Sequence, residues 1–288
     1  MKGAADTKKV YLLAHPAGHS VSPAMHNAAF ERLGIDAHYQ ALDVPADRLA
    51  ATVESLRSAA VLGANVTVPH KLAVMPLLDS LSDAARSVGA VNTIVNRDGE
   101  LHGDNTDAAG FTRALVDDAG VSLRGKKAVM LGAGGAARAV AYALLTAGVA
   151  RLDVYNRTRE RAEQLAGMFA HIGTIDPLLD DNLHDTVRGA DLLVNTTTVG
   201  MGHVRNDLQE GDGASPLPLH SLPQRGFVCD IIYRPRKTKL LKDAEAQGLA
   251  TQNGLAMLVY QGAESFRRWT GRDAPIEVMM EAADRGLG

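Results

Sequence analysis

The sequence predicts an α/β protein of two domains, the second of them a Rossmann-type dinucleotide-binding domain. Three observations carry this. Apolar strand-like runs alternate with helical patterns, as they do where crossover helices cover a sheet. The alternation comes in two series separated by a helical stretch, and the second series opens on a glycine signature between a strand and a helix. A chain of 288 residues, 46% of them apolar, suffices for about two cores at the usual ~150 residues each.

The first series contains KVYLLA from Lys9, AHYQALDV from Ala37 and GANVTV from Gly63, with helices between them. VNTIVN follows from Val91, and the turn-forming Arg97-Asp98-Gly99-Glu100 after it predicts a hairpin. A helical stretch from about Ala108 to Ala119, stopped by Gly120, marks the domain boundary. The second series runs through GKKAVML from Gly125, RLDVYN from Arg151, DLLVNTT from Asp191 and FVCDII from Phe227. Val204 to Gln224, rich in glycine, proline and polar residues, reads as a long surface loop. From there the pattern turns helical in TKLLKDAEAQG, GLAMLVYQGAESFRRW and PIEVMMEAADRG.

A formal net charge of −3 provides no field to hold nucleic acid or an anionic membrane, so neither is an expected partner. VYLLAHP is cut off by Pro16 before it reaches signal-peptide or membrane length, which makes the cytoplasm the expected compartment. Cys229 is the only cysteine. It can form no internal disulfide and reads as a buried strand residue.

In VMLGAGGAARAVAYALL, Gly132, Gly134 and Ala137 satisfy G-x-G-x-x-G/A. Gly132 allows the tight turn, Gly134 lets backbone amides approach a pyrophosphate, and Ala137 keeps the helix close to the sheet. Ala133, Gly135 and Ala136 complete the loop. An NAD site usually puts an acid on the ribose hydroxyls about 20 residues on. This chain instead has Asn156, Arg157, Thr158 and Arg161 at the tip of the next strand, groups that suit a 2′-phosphate and favour NADP. The alternative is a solvated helix start with Arg157 and Arg161 paired to Glu160 or Glu163. Asp153 stands three residues before the tip, a poor position for binding ribose.

The segment AHPAGHSVSPAMHN from Ala14 holds more chemistry than a connection needs. Ser22 reads as a helix N-cap with Pro23 at the first helical position. Ser20 is spare, and two hydroxyls beside a helix N-terminus suit a carboxylate. His15, His19 and His26 could suggest a metal, but Pro16 and Gly18 keep His15 and His19 from sharing a helical face and no acid stands near them in sequence, so no metal site is expected.

Several separated motifs, in order, resemble the shikimate/quinate dehydrogenase family over nearly the whole chain. They are HSVSPAMHN; NVTVPHK from Asn65 to Lys71; GAVNT around Asn92; DNTDAAG around Asp107; GAGGAARA; NRT; NTTTVGM from Asn195; DIIYRPRKT with Tyr233; and NGLAMLVYQG with Gln261. The resemblance implies NADP-linked, reversible reduction of 3-dehydroshikimate to shikimate, with a small-molecule substrate and an oligomeric state left open, a homodimer included. It implies that Ser20 and Ser22 hold the substrate carboxylate and that Thr67, Asn92, Asp107 and Gln261 bond the ring hydroxyls. Lys71 would serve at the reacting oxygen with Asp107 beside it, and Asn65 and Tyr233 would line the site. Thr196, Thr197 and Gly254 join the cofactor set by the same resemblance. So does a split architecture, with residues 1–107 and 253–288 forming the substrate-binding domain, 108–252 the NADP domain, and the C-terminal helices packing back on the first.

Chemistry supports Lys71 independently. Hydride arriving at a ketone carbon leaves charge on oxygen that a proton donor must meet, and a lysine held against a carboxylate can give that proton and take it back. Two departures stand out: Ala108 where the family commonly has glycine, and AHPAGHS in place of a form with glycine before the proline segment. The alternatives are a quinate/shikimate dehydrogenase using NAD and a non-catalytic NADP-sensing protein. Loss of Lys71 or Asp107 would mark the latter, and both are present.

Overall fold

The computed structural model describes residues 7–18, 20–201 and 214–287. The chain divides into two compact units, one of residues up to Gly110 together with Val259–Gly286, the other Phe111–Leu258.

In chain order the first unit holds β1 (Lys8–Ala14), α1 (Ser22–Leu33), β2 (Ala37–Asp43), α2 (Leu49–Ser55), β3 (Val61–Val66), β4 (Ser80–Leu81), α3 (Asp83–Val88), β5 (Thr93–Arg97) and β6 (Glu100–Asp104). Its strands form a mixed sheet in the order β2-β1-β3-β5-β6-β4. The expected hairpin is β5–β6, antiparallel, turning through Asp98 and Gly99 at φ 54° and 93°. That left-handed pair is what a two-residue hairpin turn requires, and Asp-Gly supplies it cheaply. β3 is central, buried at five of its six positions, and pairs parallel to β1 on one side and antiparallel to β5 on the other. Leu13, Val53, Leu56, Ala64, Val66, Val91, Ile94 and Leu101 form one core against this sheet.

α4 (Asp107–Arg113) begins at the end of the first unit, and the second unit follows with β7 (Lys127–Leu131), α5 (Gly135–Thr146), β8 (Arg151–Tyr155), α6 (Arg159–Phe169), β9 (Ile175–Pro177), α7 (Asp180–Arg188), β10 (Leu192–Asn195), β11 (Phe227–Asp230), α8 (Lys239–Ala246) and β12 (Ala250–Gln252). All its strands are parallel, in the order β12-β11-β10-β7-β8-β9. This is the doubly wound arrangement. Its strand order reverses between β7 and β10, and ligands of such sheets bind outside the carboxyl ends at that point. The glycine loop after β7 and Thr196–Thr197 after β10 both lie there.

α9 (Leu255–Thr270) and α10 (Ile276–Arg285) close the chain, and from Val259 on they belong to the first unit. α10 packs on α1. Trp269 on α9 donates its Nε1–H to Ile94 O at 2.9 Å. Gly63, at φ 155°, faces that ring, and a Cβ there would stand 2.1 Å from Ile94 O.

Three expectations need correction. β4, β9 and β12, of two or three residues each, were not among the expected strands, being too short for an alternation to register. Residues 204–213 of the expected surface loop lie outside the described residues, but Leu217, Ser221 and Leu222 beyond them are buried, the two leucines in the core of the second unit. Ser22 does not cap α1: Val21 occupies the cap position with no side-chain bond, and the Ser22 N–H donates to Ser20 Oγ at 3.2 Å. The hydroxyl read as spare is therefore the one that bonds the helix start.

Candidate active site

β3 delivers Asn65, and the chain then turns through Thr67, Val68, Pro69 and His70 to Lys71. The turn is pinned at three points. His70 Nε2 bonds Val44 O at 2.6 Å, the His70 N–H donates to Thr67 O at 2.8 Å, and Lys71 O accepts the Val91 N–H at 2.8 Å. Asp107 opens α4, where an acid is favoured by the helix N-terminus. Asn105 Oδ1 accepts the Asp107 N–H at 3.1 Å.

These two segments meet. Lys71 Nζ lies 2.6 Å from Asp107 Oδ2, with side chains 13% and 7% exposed. The other carboxylate oxygen, Oδ1, accepts from Asn92 Nδ2 at 2.8 Å. The same amide nitrogen reaches Thr106 Oγ1 at 2.9 Å and Gln261 Oε1 at 3.1 Å. Asn92 Oδ1 accepts the Thr106 N–H at 2.8 Å, which fixes the orientation of the amide.

A second layer stands behind this one. Ser265, one helical turn beyond Gln261 on α9, is fully buried; its hydroxyl donates to Gln261 O, accepts from Asn65 Nδ2 at 3.0 Å and lies 2.8 Å from Thr93 Oγ1. Asn65 Oδ1 accepts from the Tyr39 hydroxyl at 2.9 Å, and the Tyr39 hydroxyl is also bonded by Ser22. Burial raises the Tyr39 phenol above its ordinary value, so it works as a neutral donor. Ser22, Asn65, Asn92, Asp107, Lys71 and Gln261 thus fall in one connected network. Ser20 adjoins it through Ser22; Thr67 sits half-buried at the end of β3. Tyr39, Thr93, Thr106 and Ser265 were missed by sequence reasoning. Ser265 alone carried a signal, lying four residues after Gln261 on the same helix face.

The histidines behave differently from one another. His15 Nδ1 is 2.9 Å from Asp43 Oδ1, so an acid does stand beside it, brought by the parallel pairing of β1 with β2. His26 is buried, stacked on Tyr39 at 4.5 Å between ring centroids, and neither ring nitrogen has a hydrogen-bond partner. Burial lowers its pKa to about 3. His19 lies outside the described residues. Among the described residues no group of three or more His, Cys, Asp or Glu side chains could hold a metal. Ala108 is buried within α4, where the missing glycine costs the helix nothing.

The second unit fits a dinucleotide. Gly132 has φ 107°, and a Cβ there would meet Thr196 Oγ1 at 2.6 Å. Gly134 precedes α5 in extended conformation with no side-chain cap, and nothing lies within 4 Å of where its Cβ would stand. The open space before uncapped N–H groups is what a pyrophosphate needs. Ala137 is fully buried and lets α5 pack on the sheet. Asn156 Nδ2 donates to Thr158 O at 2.7 Å and shapes the tip of β8. Glu163 is taken by Arg159 at 2.7 Å, while Arg157 and Arg161 are exposed and pair with no acid among the described residues. Asp153 is held by Arg151 at 2.8 Å, which withdraws the nearest acid from any ribose. Gly254 has a structural reason: a Cβ there would stand 1.9 Å from Ile231 O. Tyr233 is half-buried in this same unit.

A doubly wound sheet with such a loop, and a separate unit bearing a Lys–Asp pair among amides and hydroxyls, define a nicotinamide-dinucleotide oxidoreductase of two units. Residues 12–94 match the family model of the shikimate dehydrogenase substrate binding domain, 114–210 that of shikimate/quinate 5-dehydrogenase, and 254–283 that of the shikimate 5′-dehydrogenase C-terminal domain. The chain belongs to the shikimate dehydrogenase family. It is 46% identical over 288 residues to the shikimate dehydrogenase (NADP(+)) of Moorella thermoacetica, covering 99% of this chain and 95% of that one. The Thermus thermophilus shikimate 5-dehydrogenase, solved in complex with NADP(H) and shikimate, is 43% identical with a TM-score of 0.86, covering 97% of this chain and 100% of that one. The quinate dehydrogenase of Corynebacterium glutamicum, solved with NAD, is 31% identical with a TM-score of 0.87, covering 96% and 99%.

Proposed function

We propose that this protein catalyses the reversible, NADP-linked reduction of 3-dehydroshikimate to shikimate, with Lys71 as proton donor and Asp107 as its partner. The observation that carries the reading is the 2.6 Å Lys71–Asp107 pair locked by Asn92, in a chain of this family. The bound cofactor supplies hydride to the ketone carbon, or takes it from the alcohol.

Lys71 gives a proton to the oxygen as charge develops there, and in oxidation it accepts the hydroxyl proton. Asp107 holds the lysine in place with one oxygen and offers the other, through Asn92, to the hydroxyl-binding set. Asn92 Nδ2 has two hydrogens and three acceptors around it. The longest bond, to Gln261, is the one an incoming ring hydroxyl displaces most cheaply. Thr67 and Gln261 take the other hydroxyls, with Asn65 lining the site; Ser20 and Ser22, at the start of α1, take the carboxylate, where the helix N-terminus favours an anion. Family resemblance assigns Tyr233 to the substrate as well. On the cofactor side, the glycine loop of Gly132 to Ala137 takes the pyrophosphate, and Arg157, Thr158 and Arg161 the 2′-phosphate, with Asn156, Thr196, Thr197 and Gly254 beside it.

The test mixes the protein with shikimate or quinate and with NADP or NAD, and follows absorbance of the reduced nicotinamide. Reduction with NADP and shikimate is expected to be the fastest of the four. Arg157→Ala should weaken NADP by about 1.5–3 kcal/mol, the loss of a charge-assisted bond, and leave NAD nearly unchanged. No reduction with shikimate and either cofactor would overturn the reading, and equal weakening of both cofactors would overturn the phosphate assignment.

A further inference from the structure

Asp230, at the end of β11, is fully buried and takes no part in the proposed chemistry. Its surroundings are unusually complete. Oδ1 accepts from Asn195 Nδ2 at 3.0 Å and from the Ile232 N–H at 3.1 Å; Oδ2 accepts from Thr238 Oγ1 at 2.8 Å. Each partner leads elsewhere. Asn195 Oδ1 accepts from the Thr197 N–H at 3.0 Å and from the Thr197 hydroxyl at 2.7 Å, and its Nδ2 also points to Val199 O. Thr238 caps α8 through the Leu241 N–H, and Gly200, at φ 99°, lies against it with a would-be Cβ 3.4 Å from Thr238 Cβ.

The carboxylate therefore stands between two loops. One, residues 196–200, carries Thr196 and Thr197; the other, residues 231–238, carries Tyr233. Burial pushes the carboxyl up to about 6, so keeping an acid here has a cost that an apolar residue would avoid. The only gain the geometry offers for that cost is acceptors aimed at both loops.

We infer that Asp230 is a positioning residue that sets the cofactor-side loop 196–200 and the Tyr233 loop in register with each other, so that both are shaped before cofactor or substrate arrives. The inference rests on the functional reading above, which gives Thr196, Thr197 and Tyr233 their roles. The carboxylate touches neither ligand and acts through Asn195 and Thr238. Asparagine at this position keeps one acceptor for Asn195 and Ile232 and can donate to Thr238 Oγ1, whereas alanine keeps neither.

The experiment uses the full chain with Asp230→Ala and Asp230→Asn, amide hydrogen exchange without ligand, and NADP affinity by titration calorimetry. Asp230→Ala should speed exchange at least tenfold in both 196–200 and 231–238, leave β7 protected, and weaken NADP about tenfold. Asp230→Asn should restore exchange and affinity to within about threefold of the wild type. Faster exchange in one loop only, or in neither, would overturn the inference, as would failure of Asn to rescue. If Asp230→Ala does not fold, Thr238→Val serves in its place: it cuts one branch, and exchange should then rise in 196–200 as well as locally. A purely local response refutes the coupling. Should both loops respond while NADP affinity stays unchanged, the cofactor role of Asp230 is refuted. Arg157→Ala then separates the causes, because its selective loss of NADP shows that the cofactor reading itself stands, and its absence shows that the reading fails too.

Discussion

Lys71→Ala should do two separable things. The variant leaves Asp107, only 7% exposed, without its cation, and removing one partner of a buried ion pair costs about 3–5 kcal/mol. Some relief is at hand, since Asn92 still donates to Oδ1, so a loss near the lower end of that range is expected in urea denaturation. Activity should fall by about 10²–10⁴-fold in kcat, with KM moving comparatively little, as for loss of a general acid. The double variant Lys71→Ala/Asp107→Asn removes the stranded charge while keeping an oxygen for Asn92. It should regain about 1–3 kcal/mol of stability over Lys71→Ala and recover no activity. Stability then recovers while turnover stays at the level of Lys71→Ala. A double variant no more stable than Lys71→Ala would mean that the pair is not desolvated as the geometry requires. Near wild-type kcat in Lys71→Ala, with NADP binding intact, would remove the lysine from the chemistry.

Three further outcomes follow from other contacts. Ser20→Ala removes the acceptor of the Ser22 N–H and should cost about 0.5–2 kcal/mol in thermal or urea unfolding while raising the shikimate KM; unchanged KM would move the carboxylate pocket elsewhere. Gly110→Ala places a methyl 2.6 Å from the Gln261 backbone nitrogen, so α9 must shift at that residue. The variant should lose about 1–3 kcal/mol and raise the shikimate KM with NADP affinity intact, and an unchanged KM would detach Gln261 from substrate. Asp230, at about 6 in the folded protein against 3.8 ordinarily, binds its proton more tightly when folded. The stability this contributes is complete below about pH 4 and lost as pH rises through 6, a change of ~3 kcal/mol. Unfolding measured from pH 4 to 8 should therefore show the wild type falling relative to Asp230→Asn, and a constant gap would contradict the shift.

How much of this was legible in the sequence depends on how far each signal reaches along the chain. The glycine loop reads well because its parts lie within six residues, and strand, turn and helix are local consequences of the same stretch. The hairpin reads well for the same reason, Asp98-Gly99 supplying both of the positive-φ residues its turn needs. The acid beside His15 did not read, because Asp43 is 28 positions away and arrives only through the register of β1 against β2. The cap of α1 misled for a smaller reason. Ser20 and Ser22 are both good cap residues, and only the conformation of the loop decides which hydroxyl points back. Among the residues assigned from family resemblance, Lys71, Asp107, Asn92 and Gln261 come into bonding contact, although nothing in their spacing says that they must.

The polar residues missed by the sequence reading explain why the network can exist at all. Buried amides and hydroxyls are costly unless every donor finds an acceptor, and Asn65 and Asn92 are 6% and 2% exposed. Asn65 Nδ2 finds Asn92 O and Ser265 Oγ, and its oxygen finds Tyr39; Asn92 Oδ1 finds the Thr106 N–H. These partners come from β2, α9 and the residues just before β5 and α4, so the amides are oriented only when these four segments have assembled. A network oriented by the fold in this way holds its donors and acceptors in place beforehand, and on the function proposed above little ordering is left to oppose binding. Ser265 is the residue that ties α9 to the rest. Its hydroxyl returns to Gln261 O on its own helix while receiving Asn65, so the glutamine and the asparagine are held by one oxygen. That explains in physical terms why the helix from the far end of the sequence has to belong to the first unit: without it, Asn65 loses an acceptor, Asn92 loses Gln261, and the polar interior of the first unit is left partly unsatisfied.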